Sequence, residues 1–143
     1  MSSISSANAV FMLGVTGLFA TPQQLQGFDV DDAFDAEGLD VAETKIGVDG
    51  ILSAGFVFTI APTTIALQAD SPSVSLFEAW YTAERAAQDK YFAFGQILLP
   101  SIGRSYTLVN GVLKKYTPFS SAKKMLQPRS FTIDWESIIG AAI

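Results

Sequence analysis

The hydrophobic pattern of this chain has mostly a period of two. Phe131, Ile133 and Trp135 alternate with Thr132, Asp134 and Glu136, as a half-buried strand requires. From Thr63 to Ala69, Ile65 and Leu67 take one face and Thr64, Ala66 and Gln68 the other. Val10 to Phe19, rich in β-branched, aromatic and glycine residues, predicts a strand with a bend. Phe92 to Leu99 is nearly all apolar, which predicts a strand covered on both faces. Two Asx-Gly pairs between apolar runs predict tight hairpins. Asp49-Gly50 would pair Val48 with Ile51 and Ile46 with Ser53, with arms reaching from Val41 to Ile60. Asn110-Gly111 would pair Leu108 with Leu113 and Thr107 with Lys114.

One stretch switches to helical spacing. Over residues 72–91, Phe77, Trp80, Tyr81, Ala87 and Tyr91 form a stripe. Ser71 suits the N-cap, Pro72 the first helical position, and Ser75 with Glu78 a capping box one step later. Residues 21–40 are acidic and weakly periodic, a long loop of the kind that serves function or an interface. Residues 1–8 are expected to be a flexible terminus, and apolar Ile138 to Ile143 to dock on something. The expectation is a single domain over 1–143, mainly β, a β-sandwich or small barrel with one flanking α-helix.

Composition changes this picture in one respect. Of 143 residues, 49% are apolar and only 16% charged, against roughly 25% charged in ordinary soluble domains. A domain this small cannot hide that much apolar surface alone, so the surplus points to partners, most simply copies of itself. Charge is also divided. Residues 1–70 hold nine acids and one base, and residues 71–143 hold five acids and eight bases. Such asymmetry suits head-to-tail contact between different surfaces of successive copies.

Chemistry is poorly supplied. The chain has no cysteine and no histidine, which removes thiol chemistry and the commonest general base and metal ligand. The acids from Asp29 to Asp40 fail as an EF-hand, because the sixth position holds Phe34 where glycine is needed. Gly47, Gly50 and Gly55 lack the Lys-Ser/Thr sequel of a phosphate loop. A net charge of −5 argues against wrapping nucleic acid. The run Ala9 to Ala20 is too short for a membrane span, and residues 1–8 carry no basic n-region of a signal peptide. No catalytic, cofactor or metal site is expected, and the chain reads as no enzyme.

Five stretches carry a wider likeness: Gly17 to Phe28, Gly47 to Phe56, Leu67 to Pro72 leading into the helix, Thr107 to Gly111, and Leu126 to Arg129. Together they resemble tail tube proteins of contractile-tailed bacteriophages. The resemblance implies that six subunits join their sheets into a ring-wide β-barrel. The rings would stack into a hollow tube that conducts the genome inside a contractile sheath. The hairpin around Asp49-Gly50 would lend strands to the ring, with Ser53 and Gly55 toward the lumen. Candidate lumen or inter-ring acids are Asp29, Asp31, Asp32, Asp35, Glu37, Asp40, Glu43 and Asp49. Candidate inter-subunit or sheath-facing bases are Arg104, Lys114, Lys115, Lys123, Lys124 and Arg129. Implied partners are further copies, sheath, baseplate and tape-measure proteins, with DNA passing unbound. The implied location is the virion tail, after synthesis in the bacterial cytoplasm. A baseplate or terminator ring subunit, or a monomeric ligand-binding barrel, are the alternatives.

Overall fold

The computed structural model describes residues 9–29 and 33–143; the expected flexible terminus at 1–8 lies outside them. Nine strands and one helix follow in the order β1 (Val10–Val15), β2 (Phe19–Gln24), β3 (Phe34–Ala36), β4 (Ala42–Ile46), β5 (Leu52–Phe56), β6 (Ala61–Leu67), α1 (Val74–Ala87), β7 (Ala93–Leu99), β8 (Arg104–Tyr116) and β9 (Arg129–Ala142). Seven of these strands form an antiparallel sheet in the order β2-β1-β7-β8-β9-β6-β3. The fold is thus mainly β with one helix, as the alternation predicts.

The sheet curls until its two ends face each other. Phe11 of β1 meets Phe34 of β3 edge to face, with ring centroids 5.3 Å apart, although four strands separate them in the ladder. The segment after β2 spans the gap: Leu25 N–H donates to Phe11 O, and Gln68 N–H donates to Gly27 O. Phe11, Leu13, Leu25, Ile65, Leu67, Leu108, Phe131, Ile133 and Trp135 fill the resulting core. Phe131, Ile133 and Trp135 are buried while Glu136 is exposed, so the predicted alternation sets the core face of β9.

Helix α1 closes one end of this roll through Val74, Leu76, Phe77 and Trp80. Phe77 stacks on Phe131 at 4.3 Å and Tyr81 on Tyr116 at 4.3 Å. Ser73 rather than Ser71 is the N-cap, and neither it nor Ser75 forms the predicted capping box. Both early hydroxyls make tertiary bonds, and Ser71 Oγ also accepts locally from Ser73 N–H at 3.2 Å, a capping-type bond made before the helix begins. Ser71 Oγ donates to Gln26 O, and Ser73 Oγ accepts from Gln26 N–H at 2.7 Å. The helix ends at Gln88, whose left-handed φ of 56° turns the chain.

Two further expectations are corrected. Asn110-Gly111 does not turn the chain; it lies inside β8, and the reversal between β7 and β8 occurs at Pro100–Ile102 and Gly103. Asn110, at φ 44°, instead marks a β-bulge, where β8 runs one residue longer than β7 between the Ala93–Gly111 and Gly95–Leu108 pairs. A Cβ on Gly111 would sit 2.5 Å from the Trp135 ring, so glycine is required there by packing. Residues 21–40 are not a continuous loop either, since β2 and β3 lie partly or wholly within them. Both are exposed edge strands, which lack the buried face that produces alternation.

Candidate functional site

Among the described residues, three exposed surfaces stand out. The first is an arm. β4 and β5 form a separate two-stranded sheet, and every residue from Glu43 to Phe56 is exposed. Its turn is the one predicted at Asp49-Gly50, but the register differs. Ile46 pairs with Leu52 and Lys45 with Ser53, because the loop has three residues, with Gly50 N–H bonded to Gly47 O and Gly50 at φ 81°. Asp49 Oδ1 accepts from Ile51 N–H at 3.1 Å and so serves the turn.

The arm has two unlike faces. Ala42, Thr44 and Ile46 lie opposite Phe56, Ala54 and Leu52 on one face. Glu43 and Lys45 lie opposite Gly55 and Ser53 on the other. At its base Phe56 and Phe58, 72% and 94% exposed, meet edge to face at 5.1 Å. Leu39, Val41 and Ile60 extend this uncovered apolar surface.

The second surface is the connection 117–128 between β8 and β9, and a buried arginine holds it in place. Arg129, 5% exposed, donates through Nε and Nη2 to Thr117 O at 3.1 and 2.7 Å, and through Nη2 to Pro118 O at 3.1 Å. Its Nη1 reaches Glu78 Oε1 of α1 at 2.7 Å, and its guanidinium lies over the Tyr116 and Phe131 rings. Arg129 therefore cannot face a sheath or a neighbour, which corrects that candidate. Five donors in a planar fork suit such a cluster of carbonyls. The loop it anchors displays Phe119, Met125 and Leu126, all largely exposed, beside Lys123 and Lys124.

The third surface is an edge. β6 pairs with β9 only as far as Trp135, opposite Ala61. From Glu136 to Ala142, β9 pairs with β8 alone, so one side of an apolar strand end has no ladder partner among the described residues. Ile138 to Ala142, expected to dock, continue this strand, and Ile143 N–H bonds to Gly103 O.

These placements sort the predicted residues. Glu37, Asp40, Glu43 and Asp49 all belong to the arm or its root and are exposed. Asp35 is exposed on β3, opposite Thr64. Asp29 stands apart, in the segment that bridges to β6 through Ala66 O. Asp31 and Asp32 lie outside the described residues. Lys114 and Lys115 lie in the last three residues of β8, at the end that leads into the 117–128 loop with Lys123 and Lys124; Lys114 also comes within 3.9 Å of Asp134. Arg104 begins β8 and pairs with Ala142, at the far end of that strand. What residue-by-residue reading missed is the exposure of the apolar residues on the arm and the loop. Apolar excess in the composition was the one signal of it.

Several solved structures share this fold. The fold matches the tube-terminating cap of the anti-feeding prophage, with a TM-score of 0.64, 14% identity, and coverage of 100% of this chain and 93% of that one. It matches a chain of the sixfold-symmetrised baseplate of the same particle, with a TM-score of 0.62, 11% identity, and coverage of 99% and 98%. It also matches a chain of the sheath–tube complex of the extracellular contractile injection system PVC, with a TM-score of 0.56, 15% identity, and coverage of 93% and 88%. No curated protein sequence matches significantly. The sequence model of the tail fiber protein gp32 family matches residues 2–139, nearly the whole chain, and the protein belongs to that family, a phage-tail family with the fold of contractile injection system components.

Proposed function

We propose that the protein is a non-enzymatic ring-forming subunit of a contractile tail, and that its rings stack into the tube through which the genome leaves the particle. The observation that carries this reading is the arm. An isolated two-stranded ribbon is marginal in water, and this one shows apolar side chains on one face and small or charged ones on the other. Packed on neighbouring subunits through Ile46, Leu52 and Phe56, it would turn Lys45, Ser53 and Gly55 toward a lumen, with Glu43 at the rim where the arm meets its root. Adding strands between subunits also protects free edges such as Glu136–Ala142. Acids outnumber bases five to one over residues 33–60, and those that reach the lumen would repel phosphate, so DNA would slide instead of sticking. The same reading gives a virion-tail location and, as partners, the sheath, baseplate and tape-measure proteins.

A second reading, a cap, terminator or baseplate ring of the same fold, draws support from the full-length match to a tube-terminating cap. The two differ in one property, whether rings stack. Negative-stain microscopy of the purified chain over a range of concentrations tests this. Hollow filaments are expected for the tube subunit and single rings for the terminal one. Monomers at every concentration, also in the presence of tail baseplates, would overturn both. Replacing Ala42–Phe56 by a short Gly-Ser link is expected to leave folded monomers.

A further inference from the structure

From the placement of charge at the two ends of the molecule, we infer that the 117–128 loop of one copy docks on the root of the arm of the next copy. The inference rests on the self-assembly proposed above and names the contact that would stack it. The two surfaces leave the sheet at opposite ends of the β6–β9 pair. Arg129, which anchors the loop, lies opposite Leu67, while Glu37 N–H bonds to Pro62 O where the arm departs. The seven residues of β6 set the ends about 20 Å apart along the strand. Surfaces so placed cannot meet within one copy, but they can meet between copies related head to tail.

Their chemistry is complementary. The loop end carries Lys114, Lys115, Lys123 and Lys124, and residues 104–128 contain no acid. The arm root carries Glu37, Asp40 and Glu43 around Leu39 and Val41. None of Lys115, Lys123, Lys124, Glu37, Asp40 or Glu43 enters an ion pair among the described residues. Each surface also exposes apolar side chains to be covered: Phe119 at 73% and Met125 at 76% on the loop, Leu39 and Val41 on the root. Apolar contacts ringed by opposite charges hold and orient a contact, and the charge sets which surface meets which. The Arg129 clamp fits this role, because a loop fixed before docking loses less freedom on binding.

The absence of cysteine makes the contact directly readable. Asp40→Cys and Lys124→Cys chains, purified separately and mixed under mild oxidation, should form a mixed disulfide dimer. The expected yield is about tenfold above that of Asp40→Cys mixed with Gln96→Cys, a control on the sheet's outer face, since a contact worth ~1.4 kcal/mol changes occupancy by that factor. Lys115→Glu and Lys123→Glu in the lysine-side chain should abolish the excess. Glu37→Lys and Glu43→Lys in the partner should restore it. A yield no higher than the control, or one that survives charge reversal, overturns the inference. The cross-link reports on two copies in solution, so a tail component that never forms rings under the microscope would fail the functional reading without deciding this contact.

Discussion

The curled sheet and the arm are made of the same kinds of residue but use them in opposite ways. On β9, Phe131, Ile133 and Trp135 are buried, and the alternation secures the fold. On the arm, Ile46, Leu52 and Phe56 sit equally regularly along their strands yet stay exposed. Apolar periodicity therefore shows which face will be covered without showing by what. In the sheet the cover is the rest of the chain; on the arm it is proposed to be another copy. The body should then carry the folding stability and the arm the assembly.

That contrast can be broken by measurement. Phe131→Ala removes a ring stacked on Phe77 at the base of α1 and should cost ~3–5 kcal/mol in denaturant unfolding; a loss below 1 kcal/mol would mean that the body is not where stability resides. Arg129→Ala strips donors from Thr117 O and Pro118 O and should cost ~1–3 kcal/mol. Its loop should also become a preferred site of limited proteolysis, and Arg129→Lys should not restore protection. Gly50→Ala forces a side chain into φ 81°, a local cost of ~1–2 kcal/mol. It should speed amide exchange at Gly47 and Ile51 while leaving the main unfolding transition in place. Ile46→Ser with Leu52→Ser should shift monomer stability by no more than ~0.5 kcal/mol while abolishing rings or filaments. Loss of folding in that variant would place the arm within the core and erase the distinction.

Much of the body was legible because its strands obey one rule. Phe131 to Glu136 and Ile65 with Leu67 announce strands with a buried side. The apolar run ending at Leu99 announces its strand but not its faces: both were expected to be covered, and only Ala93 and Ile97 are buried while Gln96 is exposed. Asn110-Gly111 misled because the left-handed conformation it favours serves a bulge as well as a turn. The Trp135 ring across the sheet decides between them, and local sequence does not contain it. Edge strands β2 and β3 escaped for the related reason that solvent on most sides leaves no pattern. Among the candidate site residues, charge alone could not separate Arg129 from Lys123 and Lys124. What separates them is a set of carbonyls and a carboxylate that only the fold assembles.

The pairing of β1 also has a consequence in time. Val10 lies opposite Leu98 and Val15 opposite Ala93, so the first strand waits for a partner made some 88 residues later (98 minus 10). At the ~5–20 residues per second of synthesis, that is roughly 4–18 s during which Val10 to Val15 has no β7 beside it. β2 can pair with it meanwhile, and Pro22 in that edge strand discourages a stranger from adding on beyond. Expression in cells short of chaperones should therefore fail first at the newborn chain, before any ring has had the chance to form.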